Sequence, residues 1–184
     1  MNEVRIIAGS LRGRKIHFQA VNGLRPTLDR VRETLFNWLM FKIRDAVCLD
    51  AFSGSGALGF EALSRGAAQV DFIEQNPSAI LELNQNQKKL QLEGHSRIIE
   101  ASALSFLAVA PPESYDLIFL DPPFQENLVQ ESLQFILDSA ILKPGGVVYF
   151  EAEKRLDLAL KAPWILHRHK TMGDVQFGLL EIFC

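Results

Sequence analysis

The sequence predicts an α/β protein built on a mostly parallel sheet. Three observations carry that reading. From Ala46 onward short apolar runs alternate with helical stretches, and those runs are apolar on both faces. A glycine-rich turn, Asp50-Ala51-Phe52-Ser53-Gly54-Ser55-Gly56-Ala57-Leu58-Gly59, joins the first run to the first helix after it. The end of the chain then breaks the alternation with two strand-like runs in succession. Strands buried on both faces and separated by helices belong to a parallel sheet covered on both sides.

The elements follow in order. Val4 to Ala8 and Lys15 to Gln19 alternate in polarity around a turn containing Gly9 and Gly13, and so predict a basic hairpin. Thr27, after Pro26, is the expected N-cap of a helix in which Val31, Leu35, Trp38 and Leu39 recur at helical spacing. Strands are expected at Val47 to Ala51, Val70 to Glu74, Ile98 to Ala101, Leu117 to Asp121 and Val147 to Glu151. Helices fill 57–65, 77–92, 103–109 and 127–138. Trp164 to Arg168 and Gln176 to Phe183, with Lys170 to Asp174 between them, predict a hairpin that adds an antiparallel strand to the sheet.

At 184 residues the chain suits one domain. We read 1–184 as that domain and 1–26 as its basic hairpin extension. With 48% apolar and 22% charged residues, it has the balance of a soluble globular protein rather than a disordered one. Cys48 and Cys184 have no His or Cys neighbours at metal-ligand spacing, and His17, His95, His167 and His169 show no metal pattern, so no metal is expected. Neither a signal segment nor an apolar run of membrane length is visible, which points to the cytoplasm. Trp38 and Trp164 read as core aromatics and Cys48 as a buried strand residue.

The net charge of -3 is unevenly distributed. Residues 1–32 hold Arg5, Arg12, Arg14, Lys15, Arg25, Arg30 and Arg32 against Glu3 and Asp29, a local net of +5 that leaves -8 for the remainder. A basic end on an acidic body is the footprint of a phosphate-binding patch, although a solvated basic face would look the same.

The glycine turn lets a ligand approach the backbone at the mouth of a helix. Its Gly54, Gly56 and Gly59 also satisfy dinucleotide spacing, with Glu74 at a suitable distance to hold a ribose. Asp50 favours another ligand. A carboxylate at the strand end repels a pyrophosphate and attracts the ammonium and sulfonium charges of S-adenosylmethionine. Ser102 occupies the end of the third strand, where an acid often holds the adenine amino group. Phe52 and Ala103 complete the expected cofactor set.

The residues Asp121-Pro122-Pro123-Phe124 follow the apolar run Leu117 to Leu120. Two prolines stop the strand and restrict its exit. An exocyclic amine on a nucleobase is a poor nucleophile because its lone pair is delocalised into the ring. Asp121 and the Pro122 carbonyl are acceptors suited to its N–H groups, while Phe124 offers a stacking face for the base.

Together these motifs resemble the class I S-adenosylmethionine-dependent methyltransferases. Arg5-Ile6-Ile7-Ala8-Gly9-Ser10, Arg12-Gly13-Arg14-Lys15, Leu24-Arg25-Pro26-Thr27 and Arg30-Val31-Arg32-Glu33-Thr34-Leu35-Phe36-Asn37 extend the resemblance to the bacterial 16S ribosomal RNA guanine-N2 methyltransferases, over essentially the whole chain. The resemblance implies a Rossmann-like sheet of about seven strands ending in an antiparallel hairpin, and an N-terminal hairpin that meets RNA. It also implies methyl transfer to N2 of one guanine in small-subunit rRNA, either naked or within a 30S particle. On that basis Asp50, Gly54, Gly56 and Glu74 hold the cofactor, and Asp121, Pro122, Pro123 and Phe124 form the catalytic motif. Ser102 stands where the family often has an acid. Arg25, Pro26, Thr27, Arg30 and Arg32 are expected to join Arg5, Arg12, Arg14 and Lys15 in contacting the RNA, through a basic helix start beside the catalytic loop.

Three rival readings share parts of this pattern. A DNA adenine-N6 or protein glutamine-amide methyltransferase uses a similar acid-or-amide, Pro-Pro-aromatic motif. A nicotinamide-dependent dehydrogenase shares the glycine spacing but gives the prolines no role. A catalytically silent RNA-binding assembly factor would keep the fold without transfer.

Overall fold

The computed structural model describes residues 2–18, 29–123, 127–158 and 160–183. Strands β1 (Asn2–Arg5) and β2 (Lys15–Phe18) form an antiparallel hairpin of their own. Helix α1 (Asp29–Trp38) leads into the main alternation of β3 (Val47–Asp50), α2 (Ala57–Ser64), β4 (Gln69–Glu74), α3 (Pro77–Leu90), β5 (Ser96–Glu100), α4 (Ala103–Val109), β6 (Tyr115–Leu120), α5 (Leu128–Ser139) and β7 (Leu142–Glu153). Strands β8 (Trp164–Met172) and β9 (Val175–Ile182) close the chain.

The seven main strands lie in the order β5-β4-β3-β6-β7-β9-β8, parallel from β5 through β7 and antiparallel at β7–β9 and β9–β8. This is the α/β sheet with a C-terminal hairpin that the sequence predicts. The order reverses between β3 and β6: the chain runs outward through β4 and β5, then returns to the other side of β3. Open α/β sheets bind ligands outside the carboxyl ends of their strands at such a reversal.

Two apolar layers cover the sheet. On one face Leu35, Phe36, Phe60 and Leu83, from α1, α2 and α3, pack with Phe72, Phe119, Tyr149 and Phe177 of the sheet. On the other, Leu107 of α4 and Val129, Leu133 and Ile136 of α5 pack with Leu49, Ile118, Val148 and Phe150. The N-terminal hairpin shares the first layer through Val4, Ile6, Ile16 and Phe18. Trp38 stacks on Phe177 with ring centroids 5.4 Å apart, Trp164 is buried in the second layer, and Cys48 is wholly buried.

Local chemistry sets the helix ends. Asn76 caps α3, its side chain accepting from the Ser78 and Ala79 amides, with Pro77 at the first helical position and Lys88 and Lys89 in the last turn. Ser102 caps α4 by accepting from the Ser105 amide.

Three boundaries differ from the sequence reading by more than two residues. Strand β1 ends at Arg5 rather than Ala8, because the Ile7 and Ala8 amides donate to the Glu61 carboxylate of α2 instead of continuing the ladder. Strand β7 begins at Leu142, its start running through Pro144, Gly145 and Gly146 with a shift of register on β6 between Tyr115 and Leu117. The β8–β9 turn is only Gly173-Asp174, since Lys170 to Met172 pair with Val175 to Phe177. Gly173 supplies the positive φ of 61° there. The expected Thr27 cap lies outside the described residues.

Candidate active site

Asp50, Glu74 and Asp121 stand at the carboxyl ends of β3, β4 and β6, around the reversal in strand order. Asp50 pairs in register with Phe119, so Asp121 lies two residues further out on the adjoining strand.

The glycine turn is fixed by its own backbone bonds. The Gly56 amide donates to the Ser53 carbonyl at 2.6 Å and the Ser53 hydroxyl donates to the Asp50 carbonyl at 2.9 Å. Gly56 has φ 78°, and a Cβ there would meet Phe60 and Leu83 at 2.6–2.7 Å, so both conformation and space require glycine. One turn on, a Cβ at Gly59 would come 2.2 Å from the Phe72 ring. This close packing brings the Gly59 amide to Asp50 Oδ2 at 3.0 Å.

Asp50 is 2% exposed, and among the described residues its carboxylate accepts from the Gly59 amide alone. Burial raises its pKa to about 7; the Gly59 bond opposes the rise, and the charges of Asp121 and Glu74 add to it. The carboxyl therefore sits where a positive charge would relieve both its desolvation and the repulsion from its neighbours. Glu74 is already engaged by backbone. Its Oε2 accepts from the Gly54 amide at 2.8 Å and its Oε1 from the Gln75 and Asn76 amides at 2.9 and 2.8 Å. A carboxylate offers about four lone-pair sites, so this arrangement leaves about one for a ligand hydroxyl rather than two.

Ser102 is likewise occupied as a cap, and its hydroxyl donates to Ser105 Oγ at 2.7 Å. Ala103 is buried behind it, and Phe52 is half-buried against the second apolar layer. Asp121 is half-exposed, Pro122 is buried and Pro123 is exposed. Neither proline has an N–H to donate, so the backbone leaves the β6 ladder here. Phe124 lies outside the described residues. Among the described residues, no group of three or more His, Cys, Asp or Glu side chains is arranged to hold a metal.

Residues 4–181 match the family model described as "Conserved hypothetical protein 95". The chain belongs to this family. The member is 44% identical over 181 residues to "Ribosomal RNA small subunit methyltransferase D" of Haemophilus influenzae, covering 97% of this chain and 94% of that one. The protein of the same name from Escherichia coli is 43% identical over 180 residues, covering 97% and 90%. A solved Escherichia coli structure carrying a provisional methyltransferase name superposes with a TM-score of 0.88 at 42% identity, covering 98% of each chain.

In this family member two residues beside the candidate site escaped the sequence reading. Tyr149 and Glu151 of β7 point to the same face, and the Tyr149 hydroxyl donates to Glu151 Oε2 at 3.0 Å. Burial raises the Tyr149 pKa well above its ordinary value, and the charges of Glu151 and Asp121 reinforce the shift. The signal was present: an acid two positions beyond a tyrosine, at the carboxyl end of an otherwise apolar strand.

The basic N-terminal residues divide. Arg5, Arg12, Arg14 and Arg30 are exposed; Arg14 donates to the Lys89 carbonyl at 2.8 Å, and Lys15 pairs with Glu3 at 2.7 Å. Arg25, Pro26 and Thr27 lie outside the described residues. Arg32 corrects the expectation of a phosphate contact, because it is fully buried. It donates to the Arg5 carbonyl at 3.0 Å and to Asp29 at 2.6 Å, and lies 3.7 Å from Glu61. Glu61 is itself fully buried in α2, where it also receives the Ile7 and Ala8 amides and Arg65. The inward stripe of α1 places Arg32 beside Val31, Leu35 and Phe36, so its charge serves to bind the hairpin to the helices.

Proposed function

We propose that this protein transfers a methyl group from S-adenosylmethionine to the exocyclic N2 of a guanine in 16S, small-subunit ribosomal RNA. The observation that carries the reading is the placement of Asp121-Pro122 immediately beside buried Asp50 at the reversal of the sheet. The names of the relatives supply the RNA class. Residues 1–184 act as one methyltransferase domain, with the N-terminal hairpin as its RNA-facing extension. Its place of action is the cytoplasm, on rRNA either naked or within a 30S particle.

The donor set fits the cofactor. Three strand-end carboxylates surround a site in which Asp50 gains from a nearby cation. Asp50 and the glycine turn at Gly54 and Gly56 would hold the amino-acid end, with Phe52 alongside. Glu74 would hold a ribose hydroxyl, and Ser102 and Ala103 would border the adenine. When bound, S-adenosylmethionine supplies an electrophilic methyl group on a positively charged sulfur.

The remaining chemistry belongs to the chain. Asp121 and the Pro122 carbonyl accept the two amine N–H groups, which orients the nitrogen lone pair toward the methyl group and raises its electron density. Phe124 stacks on the base. As the nitrogen becomes cationic, Asp121 stabilises the charge and takes up the released proton or passes it to water. Exposed Arg5, Arg12, Arg14 and Arg30 and half-buried Lys15 contact RNA phosphates, together with Arg25, Pro26 and Thr27.

The test is transfer of labelled methyl to unmodified small-subunit rRNA, naked and protein-bound, followed by nucleoside chromatography. Label in N2-methylguanosine that disappears in Asp121→Ala is the expected result. Label in N6-methyladenosine would overturn the base assignment. Label only in DNA or in protein amide would overturn the RNA reading.

A further inference from the structure

Away from the described site, the outer strand β8 presents a row of exposed side chains. Its residues Ile165 to Lys170 are all exposed, and Arg168 and Lys170 make no ion pair among the described residues. Register fixes where these two cations sit. Lys170 pairs with Phe177, which pairs with Glu151; Arg168 pairs with Leu179, which pairs with Tyr149. Directly paired residues share a sheet face. Arg168 and Lys170 therefore project on the face that carries Tyr149, Glu151 and helix α1.

Lys170 is also level with the catalytic end of the sheet. Leu120 pairs with Phe150, which places Asp121 next to Glu151 and three strands from Lys170, roughly 14 Å at the usual strand spacing. Trp38 of α1 covers Phe177 in between. The exposed Arg30 lies in the first turn of the same helix. The basic hairpin packs over the other half of the sheet from β8, on the helices that cover β3, β4 and β5, held against α2 by Glu61 and Ser64 and against α3 by Asn86.

We propose that Arg168 and Lys170 form a second phosphate-binding strip, so that the substrate RNA backbone is gripped on both sides of the catalytic loop. This deepens the RNA reading above and rests on it. A base presented to Asp121 must leave its stack, and contacts to phosphates on one side only would leave the strand free to swing. The occupant is an RNA backbone because the strip is cationic on an otherwise acidic body and Lys170 lies level with Asp121 at the carboxyl end of the sheet. Glu153 and Asp174 lie beyond Lys170 at the end of the β7–β9–β8 sheet, with exposed Lys154 and Arg155 next in the chain after Glu153.

The test compares wild type, Arg168→Gln/Lys170→Gln and Arg168→Glu/Lys170→Glu in the full chain, using naked small-subunit rRNA. Expected for the Gln pair is about tenfold weaker RNA binding at moderate salt, with the slope of log affinity against log salt reduced by about 1 to 2. S-adenosylmethionine affinity and single-turnover methylation at saturating RNA should stay within twofold, and the Glu pair should bind more weakly still. Charged edge strands also suppress aggregation. Monomeric Gln variants with wild-type affinity and salt slope would overturn the strip and leave the methyltransferase reading intact. Failure of wild type itself to bind or methylate any RNA would overturn both.

Discussion

Two buried carboxylates, Asp50 and Asp71, mark opposite ends of the same sheet and have opposite fates. Both lie on parallel strands, and both are almost or wholly inaccessible to solvent. Asp71, near the start of β4, receives both nitrogens of an Arg97 fork, the Tyr115 hydroxyl and the Gln69 amide. Burial pushes its pKa up, but these donors more than offset it, and the net shift is downward. Asp50, at the end of β3, has one backbone amide and two acidic neighbours, and its pKa rises to about 7. Asp71 finds its cation within the chain, whereas Asp50 makes no ion pair among the described residues. A partner from outside the fold would complete such a pair.

Each end can be broken separately. Asp121→Ala should lower methyl transfer by about 10²- to 10³-fold, the usual cost of losing an electrostatic contact made in the transition state, with S-adenosylmethionine affinity held within a few-fold. Kinetics with titration calorimetry check this, and an equal loss of affinity would show that Asp121 serves binding instead. Asp71→Ala should destabilise the fold by about 2 kcal/mol, because it leaves the buried Tyr115 hydroxyl unpaired. Urea unfolding reads that change.

Asp50→Asn should act in the opposite direction. Asp50 has an ordinary value of 3.8 but a folded value of about 7, so folding holds a proton between those limits and stability falls as pH rises through them. Removing that charge should stabilise the ligand-free protein by about 1–3 kcal/mol at pH 8, with little change near pH 4. Asp71 has the reverse sign. Its contribution is present above the ordinary carboxyl range and is lost as pH falls through its lowered value. Destabilisation of Asp50→Asn at pH 8 would remove the contrast between the two ends. The smallest effect is expected for Ser102→Ala, about 1 kcal/mol of stability from the lost α4 cap and less than threefold in S-adenosylmethionine affinity.

The parallel sheet was legible in the sequence because its strands are apolar on both faces, and the glycine turn was legible because Gly56 and Gly59 have no sterically acceptable substitutes. Asp50 and Asp121 stood out as acids closing apolar runs. What escaped depended on which way a side chain faces. Arg32 reads as one of seven cations near the start of the chain, yet the α1 stripe turns it inward to Glu61. Glu61 reads as a helical surface acid, yet all eight residues of α2 are buried. Tyr149 and Glu151 matter only once β7 is known to lie beside β6. The tight β8–β9 turn was obscured because Lys170 to Met172 are polar enough to resemble a loop, as exposed edge-strand residues often do.

The most direct measurement is S-adenosylmethionine affinity as a function of pH, by titration calorimetry in buffers of differing ionisation enthalpy. A cationic ligand favours ionised Asp50, so binding below pH 7 must first release its proton. Affinity should fall roughly tenfold from pH 8 to pH 6, with close to one proton released at pH 6, and Asp50→Asn should bind more weakly with a flat profile. Affinity that is independent of pH in wild type, with no proton released, would contradict the claim that Asp50 is the carboxylate awaiting the cofactor's charge.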